Sequence, residues 1–261
     1  MERGFEQLAR DLADAWRSGA TIPLPPAGQG PATRAEAYDI QDRMAELIGG
    51  AVAGWKVGAT VRAVQLFEGH DGPLPGRIFA DRCFDSPARI PARLFSGVKV
   101  ECEFAFRLTR DLPKGATPVS RAEIADVLTF HPAFELAGSR FAPGTGNRAA
   151  TTFDGIADNG SGGAAVLGAA VEGWQKLAFE TMEIDARIDD SPPVQIYTGA
   201  YRRDPVAIVA ETFSDLRARG VALPRGTCVL TGSLSLPTPV RKLQTVTAKF
   251  ADLPTLSLTM A

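Results

Sequence analysis

The stretch Val98-Lys99-Val100-Glu101-Cys102-Glu103-Phe104-Ala105-Phe106 decides how this chain is read. Its even positions are all apolar, and its odd positions include Lys99, Glu101 and Glu103. Side chains two apart share one face of a strand, so the pattern predicts one buried face and one acidic face. Glu101 and Glu103 would then stand roughly 7 Å apart. At an effective dielectric of about 20, two such charges repel by roughly 2 kcal/mol if partly buried. Two outcomes are open. On a solvated face, Lys99 and Arg107 would help neutralise the acids and water would screen the rest. On a covered face, a cation between the acids would turn repulsion into binding, and all-oxygen donors would suit Mg2+ or Mn2+ rather than zinc.

Short strand-like runs surround this segment. They are Trp55–Thr60, Ala164–Leu167, Leu177–Ile188, Val194–Tyr197, Cys228–Thr231, Thr245–Phe250 and Thr255–Thr259, punctuated by Gly and Pro. Before them, Phe5, Leu8, Leu12 and Trp16 recur at helical spacing, and Thr33-Arg34-Ala35-Glu36 has the form of a capping box leading into Ile40, Met44 and Leu47. A second box, Ser120-Arg121-Ala122-Glu123, and the pair Asp204-Pro205 each predict a further helix start. Strands and helices do not alternate regularly, which disfavours a Rossmann fold or a TIM barrel. An α+β fold is expected, with a helical N-terminal lobe over 1–50 and a β-rich unit over 51–261.

Composition excludes several kinds of chemistry. The 261 residues carry 28 Lys and Arg against 30 Asp and Glu, a net charge of -2 that lacks the basic footprint of a nucleic-acid binder. Only two histidines are present, His70 and His131, so a histidine-rich zinc site is disfavoured. Cys83, Cys102 and Cys228 form no CxxC pair and read as small buried hydrophobes. No signal peptide or membrane span is apparent, and a cytoplasmic soluble protein is expected. Asn159-Gly160-Ser161-Gly162-Gly163 lacks the GK[ST] ending of a phosphate loop and runs into a strand. Carboxylate chemistry is left as the main suspect.

A third carboxylate, Glu135, lies in the otherwise apolar run His131-Pro132-Ala133-Phe134-Glu135-Leu136-Ala137. A buried glutamate needs a partner, and a metal, Arg140 or another base would each serve.

GWKVGAT (54–60), GRIFADR (76–82), VECEFAFRLTRDLP (100–113), PAFELAGSR (132–140), IADNGSGGAAVLG (156–168) and LTGSLSLP (230–237) occur in that order. Together they resemble the 2-keto-4-pentenoate hydratases of the fumarylacetoacetate hydrolase superfamily. The resemblance implies a mixed β-sandwich roll and a divalent metal held by Glu101, Glu103 and Glu135. It makes Lys56 and Asp81 pocket residues, sets Asp158, Asn159 and Ser161 in a loop near the substrate, and makes Thr231, Gly232 and Ser233 a substrate-facing turn. The implied reaction is metal-dependent hydration of a 2-hydroxy-2,4-dienoate. In it Lys56 would pair with the substrate carboxylate or transfer a proton, with burial lowering its pKa toward the second role. Asp81 would shuttle protons or cap a turn beside Arg82.

Alternatives are decarboxylation of a 4-oxalocrotonate-like diacid, hydrolysis of an acylpyruvate, and an oxo-acid-binding or partner subunit without turnover. The segment Phe67–Pro73 departs from the hydratase pattern, and Glu68 with His70 there could imitate the acid–histidine pair of C–C hydrolases. Val240-Arg241-Lys242-Leu243 lacks the Gly-Asp turn expected after the proline. Homo-oligomerisation is expected, alone or in a complex with a homologous decarboxylase or hydratase subunit.

Overall fold

The computed structural model describes residues 3–68, 72–145 and 148–261. Of the proposed Glu68–His70 pair, His70 and the side chain of Glu68 lie outside the described residues. Helix α1 (Arg3–Ser18) packs on α2 (Arg34–Ile48), which starts on the Thr33–Glu36 capping box and stops at Gly49 with φ +74°. Their apolar stripes bury Leu12, Trp16, Ile40 and Met44 against Leu74, Phe79 and Ile156.

Among the described residues, the strands form two sheets that each mix parallel and antiparallel pairs. The larger has the order β2 (Leu74–Phe79), β1 (Val52–Gly58), β9 (Cys228–Leu230), β5 (Val98–Leu108), β6 (Leu128–Ala137), β7 (Gly162–Leu167) and β3 (Cys83–Asp85), with β10 (Thr238–Val240) also paired to β5. The smaller runs β4 (Ala88–Ile90), β12 (Leu256–Met260), β11 (Thr245–Phe250) and β8 (Ile184–Ile188). The even positions of β5 face a core shared with the smaller sheet and helix α6 (Pro205–Ala218). Phe104, Phe106, Phe130 and Phe179 pack edge to face there, with centroids 4.9–5.8 Å apart. The opposite face carries Ala105, Ala133 and Ala165, small residues that suit a tight inward curl.

Two strand expectations fail. Of Leu177–Ile188 only Ile184–Ile188 is a strand, because Leu177, Phe179 and Met182 enter the core at irregular spacing. Val194–Tyr197 makes only an isolated bridge through Ile196 to Ser235, since Pro192 and Pro193 remove ladder donors just before it. The helix expected after Ser120 forms but ends within about one turn, at Arg121–Ala125. Helices α3 (Arg62–Glu68) and α5 (Thr152–Ala157) escape the sequence reading.

Candidate active site

Register builds the acidic cluster. On β5 and β6, Glu101 stands directly opposite Glu135, and Glu103 follows two residues along on the same face. One carboxylate oxygen from each lies within 4.8 Å of the others. This face is not solvated: Glu103 is 1% and Glu135 2% exposed. The charged forms of Glu101 and Glu103 are disfavoured accordingly. Burial, with Glu135 next, pushes Glu101 up to about 7. Burial and then both neighbouring acids hold Glu103 well above the usual carboxylate range.

Lys56 supplies the countercharge. It sits on β1, three places from β6 in the sheet order, yet the curl of the sheet brings its Nζ to 3.4 Å from Glu135 Oε1. Glu135 thus meets Lys56, while Arg140 is committed to Asp158. The expected lowering of the Lys56 pKa does not occur. Burial is the largest single influence and pushes it down, but Glu135, Glu101 and Glu103 together outweigh burial and hold it above 10.5. Glu135 Oε1 has no hydrogen-bond donor of its own.

Two backbone turns close around this pair. Gly232, with φ +100°, donates its N–H to Glu103 Oε2 at 2.8 Å, and a Cβ there would come within 2.6 Å of Thr60 Oγ1. Asn159, Gly160 and Ser161 have left-handed φ values of +54°, +62° and +56° in succession. Gly160 and Gly162 lie so close to the Lys56 stem that added Cβ atoms would meet its Cε and Cγ at 3.4 and 3.1 Å. Consecutive strained residues of this kind persist only where packing over-determines them.

An open cleft of about 810 Å³ carries all three glutamates, Lys56, Gly232 and Ser233 in its wall. A second, of about 590 Å³, lies on the other side of Lys56 and is lined by Ser161. The remaining expected residues sit differently. Asp158 is wholly buried, ion-paired to Arg140 and bonded to Ser139 Oγ at 2.8 Å. Asn159 bridges to the backbone of Arg77 through both its amide atoms, at 2.6 and 2.9 Å. Thr231 Oγ1 donates to Phe104 O at 3.0 Å. The side-chain polar atoms of these three serve the fold. Asp81 does not line the cleft; it is exposed on a short turn beyond Phe79. The β1–β2 register pairs Lys56 with Gly76 and Val52 with Phe79, which sets Asp81 past the far end of that hairpin. Its shuttle role finds no support in this placement.

Sequence reading missed the outer wall: Thr60, Val61 and Val64 on one side, Gln195, Tyr197 and Tyr201 on the other. An aromatic pair four apart in a loop gives no periodic signal. The glycine run 160–163 did carry one, since glycine also marks close backbone approach.

No protein-family model matches the chain. Its fold is that of 4-oxalocrotonate decarboxylase from Pseudomonas putida G7, a structure complexed with magnesium and adipate, at TM-score 0.84 and 20% identity over 98% of this chain and 97% of that one. A fumarylacetoacetate hydrolase family protein from Yersinia pestis CO92 matches at TM-score 0.55 and 14% identity, covering 79% and 92%. The mixed β roll of the fumarylacetoacetate hydrolase superfamily is therefore the fold of this chain, as the resemblance implied. By sequence, 2-keto-4-pentenoate hydratase from Paraburkholderia xenovorans LB400 is 34% identical over 168 residues, 62% of this chain and 60% of the relative's length. The chain is thus similar in sequence, over somewhat less than two thirds of its length and of the relative's, to a 2-keto-4-pentenoate hydratase.

Proposed function

We propose that this chain is a divalent-metal-dependent hydro-lyase that adds water to a 2-hydroxy-2,4-dienoate, yielding a 4-hydroxy-2-oxo acid in aromatic catabolism. The buried triad carries this reading. Glu101, Glu103 and Glu135 face one ammonium, Lys56, so full ionisation of the triad would leave two negative charges unmatched in a covered site. Unmatched buried charge is destabilising, and a dication cancels it. The orphaned Glu135 Oε1 and the all-carboxylate donor set fit Mg2+, or Mn2+ in its place. When bound, such an ion would stabilise negative charge on the C2 oxygen of the substrate.

The residues around it supply the rest. In this reading Lys56 Nζ would hold the substrate carboxylate or deliver a proton to C5 as the dienol ketonises. Water then adds at C4 and a proton at C3, so substrate plus one water gives product with no other reactant. Gly232, Ser233 and Ser161 present backbone and hydroxyl groups to the same space. Three free thiols suit a reducing, cytoplasmic setting. Among the described residues, no helix is long and apolar enough to cross a membrane. A homo-oligomer, alone or with a homologous decarboxylase subunit, belongs to the same reading, and solution mass measurement tests it.

Decarboxylation of a 4-oxalocrotonate-like diacid is the second reading, favoured by the fold match. Against it, Lys56 is the only basic residue among the described residues lining the main cleft, so a second carboxylate would find no cation. Incubation with Mg2+ and 2-hydroxypenta-2,4-dienoate should give Mg2+-dependent 4-hydroxy-2-oxopentanoate. Faster CO2 release from the diacid would reverse the order of the two readings, and turnover of neither would remove both.

A further inference from the structure

The cleft that carries the glutamates has an aliphatic wall, Val61 and Val64, and an aromatic wall, Tyr197 and Tyr201, whose ring centroids lie 5.6 Å apart with planes 31° apart. Tyr201 is 54% exposed and lines the cleft, so its ring is open to a bound molecule. Neither wall is free to splay. Tyr197 N–H donates to Leu234 O at 2.8 Å, and Leu236 N–H to Gln195 O at 2.8 Å, which pins the tyrosine segment to the turn that holds Glu103. Among the described residues the buried Arg202 has no acid partner; it donates to Tyr197 O at 2.8 Å, Phe179 O at 3.1 Å and Met182 O at 3.3 Å. Arg203 crosses to the opposite wall and donates to Thr60 O at 2.5 Å while pairing with Glu211 at 2.6 Å. The result is a slot with braced aromatic and aliphatic walls, in which Lys56 is the one ammonium among the described lining residues.

From this geometry we infer that Tyr197 and Tyr201 are specificity-determining residues. They form a subsite for the end of the substrate remote from its carboxylate and select a planar, uncharged alkyl or aryl group there. The inference rests on the hydratase reading for the reaction, but the slot itself is argued from its walls. A conjugated dienoate is flat. With its carboxylate toward Lys56 and the triad, its far carbons project between Val64 and the tyrosine rings, where stacking rewards a flat apolar substituent. A charged end there would be desolvated with no partner.

The test compares 2-hydroxypenta-2,4-dienoate with its 5-phenyl derivative on the Mg2+-loaded protein, in wild type, Tyr201→Ala, Tyr197→Ala and Tyr201→Phe. Tyr201→Ala should lower the kcat/KM ratio of phenyl to parent substrate by about tenfold, mainly through KM, and Tyr201→Phe should keep it within about twofold. An unchanged ratio in both alanine variants overturns the inference. So does an equal fall for both substrates, which would mean the ring only braces the turn at Glu103. If wild type turns over neither substrate, the hydratase reading fails separately. Calorimetric binding of 2-oxopentanoate against 2-oxo-5-phenylpentanoate then reads the slot directly: wild-type preference for the phenyl acid, lost in Tyr201→Ala, sustains the inference, and no preference ends it.

Discussion

Replacing Glu101 by glutamine removes one charge from the buried triad while nearly preserving its shape. With donor oxygens within 4.8 Å of one another, each ionised pair repels by about 3.5 kcal/mol or more at an effective dielectric of about 20. Two such pairs include Glu101. Part of this repulsion is already relieved by protonation near neutrality, since Glu101 is pushed up to about 7. The remaining relief is about 1–3 kcal/mol, and it has a definite sign: the metal-free variant should be more stable than wild type. For a chain of this size, each kcal/mol moves Tm by about 2–4 °C, so metal-free Glu101→Gln should melt about 3–8 °C higher. Adding Mg2+ should close or reverse this gap. At a hundredfold excess over Kd, wild type gains about 2.7 kcal/mol and roughly 5–10 °C, while the variant gains little. Differential scanning calorimetry at pH 7.5, with chelator and then with Mg2+, reads both effects. A variant that melts lower without metal, or keeps the full Mg2+ increment, would refute the triad argument.

Three further outcomes follow from the same structure. Gly160→Ala puts a Cβ at 3.4 Å from Lys56 Cε on a backbone with φ +62°; kcat should fall about tenfold with Mg2+ affinity unchanged, and wild-type kcat would show that this turn does not position Lys56. Arg140→Ala leaves Asp158 buried and unpaired, which should cost about 3–5 kcal/mol and lower Tm by roughly 10 °C; a shift under about 3 °C would mean that the pair is not a structural tie. His131 is held below its usual pKa of 6.5 by burial, against the opposing hydrogen bond to Gly168 O, with Arg107 and Asp85 its charged neighbours. A depressed histidine means the unfolded state binds the proton more tightly, so its stability is present above pH 6.5 and lost as pH falls below it. Chemical denaturation between pH 7 and 5 should show a shallower loss for His131→Gln than for wild type, and parallel curves would contradict the assignment.

The period-two pattern of 98–106 announced a strand with an acidic face, and the strand at Val98–Leu108 forms as expected because that pattern is local. The capping boxes at Thr33 and Ser120 also form, each being a four-residue signal. Strand β6 hid behind Pro132, which in a central strand normally argues against the assignment; here its missing N–H falls opposite Phe104, and its carbonyl still accepts from Gly168. The covering of Glu103 and Glu135 was illegible because it depends on how far the sheet curls, which no single strand encodes. The same curl brings Lys56 to Glu135 and leaves Asp81 outside. Asp158, Asn159 and Thr231 sit in motifs that resemblance marks as near the substrate, but their hydrogen bonds show that a motif can mark the supports of a site as readily as its surface.

Arg202 has a consequence for how such a protein can be probed. A guanidinium satisfied by three backbone carbonyls depends on no acid whose protonation would release it, and arginine keeps its charge throughout the working range. The tyrosine wall therefore keeps its anchor through the pH interval in which Glu101 changes protonation. Activity and inhibitor profiles taken across that interval would report the carboxylates against a constant geometry, which makes acidity a clean variable for this cleft.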